Sequence, residues 1–164
     1  MLLLALISIT LGLAGCKVYS FTGASISPET KTISIDRFPN TALTVEPTLS
    51  QKFTDALRDK FVNETSLVII KKDGDLHLEG SIKGYRTSPV AIQGNETAAL
   101  TRLTITIDVT FVNTVDDSKS FKTLFTRFAD FPSTQNLNEV QEGLNDEIIE
   151  LLIQDIFDKA VVNW

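Results

Sequence analysis

The sequence contains little of what active sites and disulfide scaffolds are built from. Its 164 residues include one cysteine and one histidine. A lone thiol cannot form an internal disulfide. No serine lies in a GxSxG setting, no Cys and His set has metal-ligand spacing, and no glycine-rich run follows a strand pattern. The sequence therefore predicts no catalytic residue, no cofactor and no metal site, and it weighs against an enzyme.

The single histidine, His77, lies between two leucines. Alternation along a strand turns it to the polar face, so we expect a solvated strand histidine rather than a catalytic base. The acidic pairs Asp73-Gly74-Asp75 and Asp116-Asp117 are interpreted as turns, because the further oxygen ligands of a calcium loop are missing.

Runs of basic residues are also absent. The formal net charge is −6, and Lys and Arg are scattered along the chain. Nucleic-acid binding depends on clusters of these side chains. A nucleic-acid partner is therefore excluded.

The first fifteen residues carry no charge and are mostly apolar. This run is shorter than the roughly 20 residues of a membrane-spanning helix and fits the apolar region of a signal peptide. Leu13-Ala14-Gly15-Cys16 resembles the bacterial lipobox, in which the cysteine thiol receives a lipid. By this resemblance, residues 1–15 are a lipoprotein signal peptide, and Cys16 is the lipid anchor of one domain, residues 16–164. The alternatives are a general secretory signal with a chance cysteine and a short N-terminal core helix, although the run has no polar face. Lys17 follows the cysteine where an inner-membrane retention signal has aspartate, which implies the outer membrane, facing the periplasm.

Hydrophobic periodicity predicts an α+β domain. Helical spacing of apolar residues occurs in Pro47–Glu64, where Thr48 and Gln51 have the form of a capping box, and in Leu137–Asn163. Alternation predicts strands at Lys31–Phe38, Ser66–Lys71, around Leu76 to Ile82, at Leu103–Phe111 and at Ser120–Phe131, with a hairpin turn at Asp73-Gly74. We expect a two-layer sandwich in which both helices pack on one face of a mixed β-sheet.

The other sheet face is expected to be rich in threonine and open to water or a partner. Thr104, Thr106 and Thr110 alternate with the apolar residues of the Leu103–Phe111 strand. A polar segment of small residues, Val90–Arg102, precedes that strand and is too long for a simple turn.

These features together resemble those of the LptE family of lipopolysaccharide-assembly lipoproteins. The resemblance is carried by Gln93–Ala98 with the alternating strand after it, and by Phe125–Phe128 with Asp130 and the terminal helix. It implies two helices on a mixed sheet and a non-enzymatic lipoprotein. Such a protein plugs the large outer-membrane β-barrel of lipopolysaccharide export, assists its assembly, and binds lipopolysaccharide for transport to the outer leaflet.

The predicted contacts follow from that role. The partners are the barrel protein, lipopolysaccharide, and the inner leaflet of the outer membrane through the acyl chains on Cys16. The barrel is expected to contact the open sheet face and the segment before it, at Gln93, Thr97, Thr104, Thr106 and Thr110. The cations available to lipid phosphates are Arg86, Arg102, Lys119, Lys122 and Arg127.

Two other functions remain open. A general periplasmic lipoprotein adaptor, for instance in outer-membrane protein assembly, would differ from the barrel plug only in its partner. An envelope hydrolase is disfavoured because acid, base and nucleophile sets are lacking.

Overall fold

The elements follow the predicted order. The computed structural model describes residues 26–44, 46–90 and 99–162. Within them lie β1 (Thr32–Ile35), α1 (Leu49–Glu64), β2 (Val68–Ile70), β3 (Leu76–Val90), β4 (Leu100–Asn113), β5 (Phe121–Pro132) and α2 (Leu137–Phe157). A 3₁₀ turn at Asp117–Lys119 precedes β5, and a π-helical segment at Asp158–Val162 continues α2.

The strands form one mixed sheet of five, in the order β2-β1-β3-β4-β5. β1 is parallel to both of its neighbours, while β3, β4 and β5 are antiparallel. Both helices pack on one face, so the predicted α+β sandwich is confirmed. The core lies between the two layers, where Ile105 of β4, Phe53 of α1 and Ile148 of α2 are completely buried.

The helical periodicity is confirmed with one exception. In α1, Leu49, Phe53, Leu57 and Phe61 are buried, and in α2 the same is true of Leu144, Ile148, Leu152 and Ile156. The exception is Leu151, one of the apolar residues whose helical spacing predicts α2, which is 41% exposed. The buried face of α2 includes both Leu152 and Ile153. Each residue turns the helix by about 100°, so Leu151 lies on the side of Leu152 away from Ile153, at the edge of the buried face.

The predicted hairpin between the second and third strands is wrong. β1 lies between β2 and β3 and pairs with both in parallel. The connection therefore crosses β1 on the face opposite the helices. Gly74 is the contact point: its N–H donates to the Ser34 hydroxyl (3.3 Å), and a Cβ there would lie 2.6 Å from the Ser34 nitrogen.

The capping box predicted for α1 is also wrong. The Thr48 side chain makes no cap bond to the helix. Its hydroxyl donates to Glu46 Oε1 (2.8 Å), and Thr48 has helical backbone angles. An N-cap side chain reaches the helix N–H groups from an extended backbone, which Thr48 lacks.

Candidate functional site

The sheet face opposite the helices, which we call the open face, is formed by alternate residues of β3, β4 and β5. Cross-strand pairing places Thr106 beside Thr126, and Thr110 beside Lys122. The hydroxyl oxygens of Thr106 and Thr126 are 3.0 Å apart and share a hydrogen bond. The predicted threonines therefore do lie on one face.

The threonines differ in exposure. Thr106 and Thr110 are half-buried, whereas Thr104 is only 8% exposed. Thr104 lies between Arg86 of β3 and Phe128 of β5, whose larger side chains flank it. Its hydroxyl therefore offers less surface to a partner than alternation alone predicts. The other two expected contacts, Gln93 and Thr97, lie outside the described residues, as does Cys16.

Two apolar side chains on the open face were missed by the sequence reasoning. Leu124 is 62% exposed and Phe128 is 47% exposed, both on β5. Their alternation with buried Phe125 and Ala129 was a usable signal, because it turns them away from the core. The open face is therefore mixed: hydroxyl-rich along β4 and apolar along β5.

The Arg102 side chain also lies on the open face, where neighbouring side chains hold it in place. Its guanidinium donates two hydrogen bonds to the Asp130 carboxylate, at 2.7 and 2.8 Å. Its Cζ lies 3.5 Å from the centroid of the Phe128 ring, in cation–π contact. The hydrogen bonds from Arg102 lower the pKa of Asp130. The carboxylate is thus held ionised, and the guanidinium plane rests on the aromatic ring.

The five predicted cations do not converge on one site. Arg86 and Arg102 lie near each other on the open face, and Lys122 lies there closer to the opposite end, 4.0 Å from Asp108. Arg127 points to the helix side, where it donates two hydrogen bonds of 2.6 Å to Asp155 of α2. Lys119 is in the 3₁₀ turn, 3.8 Å from Asp116.

A second cluster, around His77, is formed by neighbouring strands. His77 Nε2 lies 3.9 Å from Asp36 Oδ2 and 3.8 Å from Glu79 Oε2. His77 Nδ1 is 2.7 Å from the hydroxyl of Ser34. Donors of this kind can hold a metal ion. No spacing in the sequence signals this cluster, because Ser34 is in β1 and Asp36 directly follows it, while His77 is in β3 and is 43 positions from Ser34.

Over residues 26–44, 46–90 and 99–162, no helix has the length and apolar character needed to cross a membrane.

These elements define a class of small α+β domains with one mixed sheet and two helices on a single face. A hypothetical protein of Chlamydia trachomatis shares the fold with a TM-score of 0.52 at 6% identity, over 80% of this chain and 98% of that one. A protein of Xanthomonas campestris has a TM-score of 0.52 at 10% identity, over 82% of this chain and 87% of that one. A minor lipoprotein of Acinetobacter baumannii has a TM-score of 0.46 at 16% identity, over 79% of this chain and 91% of that one.

The LptE family model, described as lipopolysaccharide-assembly, matches residues 30–160. The chain therefore belongs to the LptE family, and its role is an LptE-like one in lipopolysaccharide assembly. No curated protein sequence matches the chain.

Proposed function

We propose that this protein is an outer-membrane lipoprotein that plugs the lipopolysaccharide-translocating β-barrel, assists its assembly and aids delivery of lipopolysaccharide to the outer leaflet. Acyl chains on Cys16 hold it in the inner leaflet of that membrane, facing the periplasm. It works by binding and has no catalytic step. The observation that carries the proposal is the open face, which leaves the side of β3, β4 and β5 opposite the helices available to a partner.

The chemistry of the open face suits a barrel lumen. The interior of such a barrel is polar, and the hydroxyls of Thr106, Thr110 and Thr126 can exchange hydrogen bonds with it. Leu124 and Phe128 add apolar contact area beside them. The helix layer instead carries the acidic side chains of α2, so the two sides of the domain differ in what they can bind.

Lipopolysaccharide phosphates need cations that are not already neutralised. Arg86 is exposed on the open face and has no ion pair with any carboxylate in the described part of the chain. Arg102, next to it, is paired with Asp130. Of the candidate cations, we therefore propose Arg86 as the principal phosphate contact, with Lys122 in support. Arg102, Lys119 and Arg127 have carboxylates at 3.8 Å or closer, nearer than the 4.0 Å between Lys122 and Asp108, and act in a lesser way.

Photo-crosslinking in cells tests the barrel contact. A photoreactive residue at Thr106 or Thr97 is expected to capture one large outer-membrane protein, and a photoreactive residue at Glu142, on α2, is not. Glu142 is a suitable control because its side chain is 84% exposed on the helix side. Depletion of the protein is expected to reduce surface lipopolysaccharide.

A substitution gives the matching loss of function. Thr106→Arg inserts a long charged side chain into the contact and is expected to weaken barrel capture. A partly exposed site away from the core normally changes stability by only about 0.5 kcal/mol. Glu147→Arg, at an exposed position on α2, is the matched control. If Thr106 and Thr97 capture no large protein and depletion leaves surface lipopolysaccharide unchanged, the plug is wrong and the adaptor takes its place.

A further inference from the structure

The cluster around His77 arises from the parallel pairing of β1 with β3. Ser34 is the register partner of His77, and the Asp36 N–H donates to the Leu78 carbonyl oxygen (2.9 Å). Asp36, directly after β1, and Glu79, in β3, each lie two residues beyond that pair. Their carboxylates therefore reach the imidazole ring from two neighbouring segments of the chain.

The distances are close to those of a coordination shell. One donor atom from each of the three side chains lies within 4.8 Å of the others, and Nε2 is 3.9 and 3.8 Å from the two carboxylate oxygens. Zinc bonds of about 2.0–2.1 Å in a tetrahedral arrangement place ligand atoms about 3.4 Å apart. A movement of about half an ångström brings each carboxylate oxygen to that distance from Nε2, and a movement of at most about 1.4 Å brings the two exposed carboxylates to that distance from each other.

The other ring nitrogen already has a supporting partner. Ser34 is completely buried, and its hydroxyl oxygen lies 2.7 Å from Nδ1. When Nδ1–H donates to this oxygen, the Ser34 hydroxyl hydrogen can turn to the Leu76 carbonyl oxygen, 3.5 Å away. The lone pair of Nε2 then faces the two carboxylates. Metal-bound histidines are typically fixed by such a hydrogen bond at their second nitrogen.

We propose that His77 Nε2, Asp36 and Glu79 bind one divalent transition-metal ion of the Zn²⁺ class. One imidazole and two carboxylates suit such an ion, whereas Ca²⁺ and Mg²⁺ prefer oxygen ligands only. The carboxylates are about half exposed, at 51% and 53%, so water can complete the shell. The bound ion would link the end of the short strand β1 to β3. Glu79 is the register partner of Thr110, so the site adjoins the proposed barrel contact, but zinc binding by the isolated chain does not require that contact.

Calorimetric titration with ZnCl₂ tests the site. The full chain is used in detergent without a histidine tag, and every variant carries Cys16→Ser so that the thiol does not bind zinc. One ion per chain is expected, and His77→Gln is expected to weaken binding at least tenfold. Asp36→Asn and Glu79→Gln weaken it as well. Glu147→Gln, an exposed acidic position on α2, leaves it unchanged.

A spectroscopic measurement removes any dependence on the folding of the variants. The chain has one histidine, so its ¹⁵N imidazole signals need no assignment. Zinc is expected to shift Nε2 while Nδ1 keeps its proton, and CaCl₂ is expected to leave both unchanged. The proposal is overturned if no stoichiometric zinc binding occurs, if His77→Gln binds as the parent does, or if Nδ1 is the coordinated atom.

Discussion

At the scale of single residues, Asp75 shows how one carboxylate fixes the start of a strand. Its Oδ2 accepts hydrogen bonds from the N–H groups of Lys31 and Thr32, at 2.8 and 2.9 Å, and from the Thr32 hydroxyl. The bond from the Lys31 N–H is the main cause of a lowered pKa for Asp75, followed by those from Thr32. The turn interpretation of Asp73-Gly74-Asp75 agrees with this, since Asp75 is occupied by the backbone.

Asp75→Asn is expected to lower the urea midpoint at pH 7, because the negative charge that these donors favour is lost. The folded-state pKa lies below the ordinary 3.8, so the unfolded chain binds the proton first as the pH falls. The contribution is complete above that ordinary value and is lost as the pH falls through the folded-state pKa.

The gap between parent and variant should therefore close in acid. Asp73→Asn is the control, because Asp73 is exposed in the turn and its positive φ suits asparagine. Urea unfolding at a series of pH values measures both. A gap that stays constant down to strongly acidic pH would contradict the role given to the charge.

At the scale of elements, the sequence predicts what is local and misses what is not. Alternation identified β4, and helical spacing identified α1 and α2, because a buried face repeats at a fixed interval within one segment. The partner of a strand carries no such repeat. The turn residues Asp73 and Gly74 indicate a reversal of the chain, yet nothing beside them shows that β1 lies between β2 and β3.

The candidate site divides in the same way. Thr106 and Thr110 were placed on the open face by alternation alone. Side-chain partners were not predictable, because the Arg127–Asp155 and Arg102–Asp130 pairs join residues 28 positions apart. The cluster of His77 with Asp36 likewise depends on strand order. Strand pairing therefore determines which cations have a carboxylate partner and which metal-ligating side chains lie close together.

Gly74→Ala tests the crossing of β1. The new methyl group would lie 2.6 Å from both the Leu76 oxygen and the Ser34 nitrogen, which are backbone atoms in the sheet. Overpacking of this kind costs about 1–3 kcal/mol of unfolding free energy. Gly143→Ala is the matched control, since a Cβ there meets nothing within 4 Å.

Because Gly143 is exposed within α2, its replacement by alanine should instead stabilise the protein by about 1 kcal/mol. Urea denaturation of the two variants measures whether the free energy of unfolding falls for Gly74→Ala and rises for Gly143→Ala. If Gly74→Ala were as stable as Gly143→Ala, the connection between β2 and β3 would have to run elsewhere.

At the scale of the whole molecule, the proposed attachment to the membrane is through acyl chains on Cys16. Each buried methylene of an acyl chain contributes about 0.8 kcal/mol, so two or more chains hold a protein firmly. Cys16→Ala is expected to move the protein from the membrane fraction to the soluble fraction and to abolish labelling by a fatty-acid analogue. Lys17→Gln should keep the label. Continued labelling of the alanine variant would rule out the lipobox.

The proposed docking of the domain as a plug uses the open face, and the apolar part of that face gives the sharpest test. Leu124→Ser with Phe128→Ser removes the two exposed apolar side chains of β5, and we expect the large barrel protein to be lost from detergent pull-downs.

The matched control is Val62→Ser with Leu151→Ser on the helices, where the side chains are 53% and 41% exposed. Exposed positions change stability by only about 0.5 kcal/mol each, and loss of the Phe128 contact with Arg102 costs about a further 0.5–1 kcal/mol. Urea unfolding must therefore show that both double variants are folded. The two double variants should then differ only in whether they retain the barrel protein. Removing apolar area weakens an interface only where binding had buried that area. Retention of the barrel by both variants, or its loss from both, would show that the open face is not the docking surface.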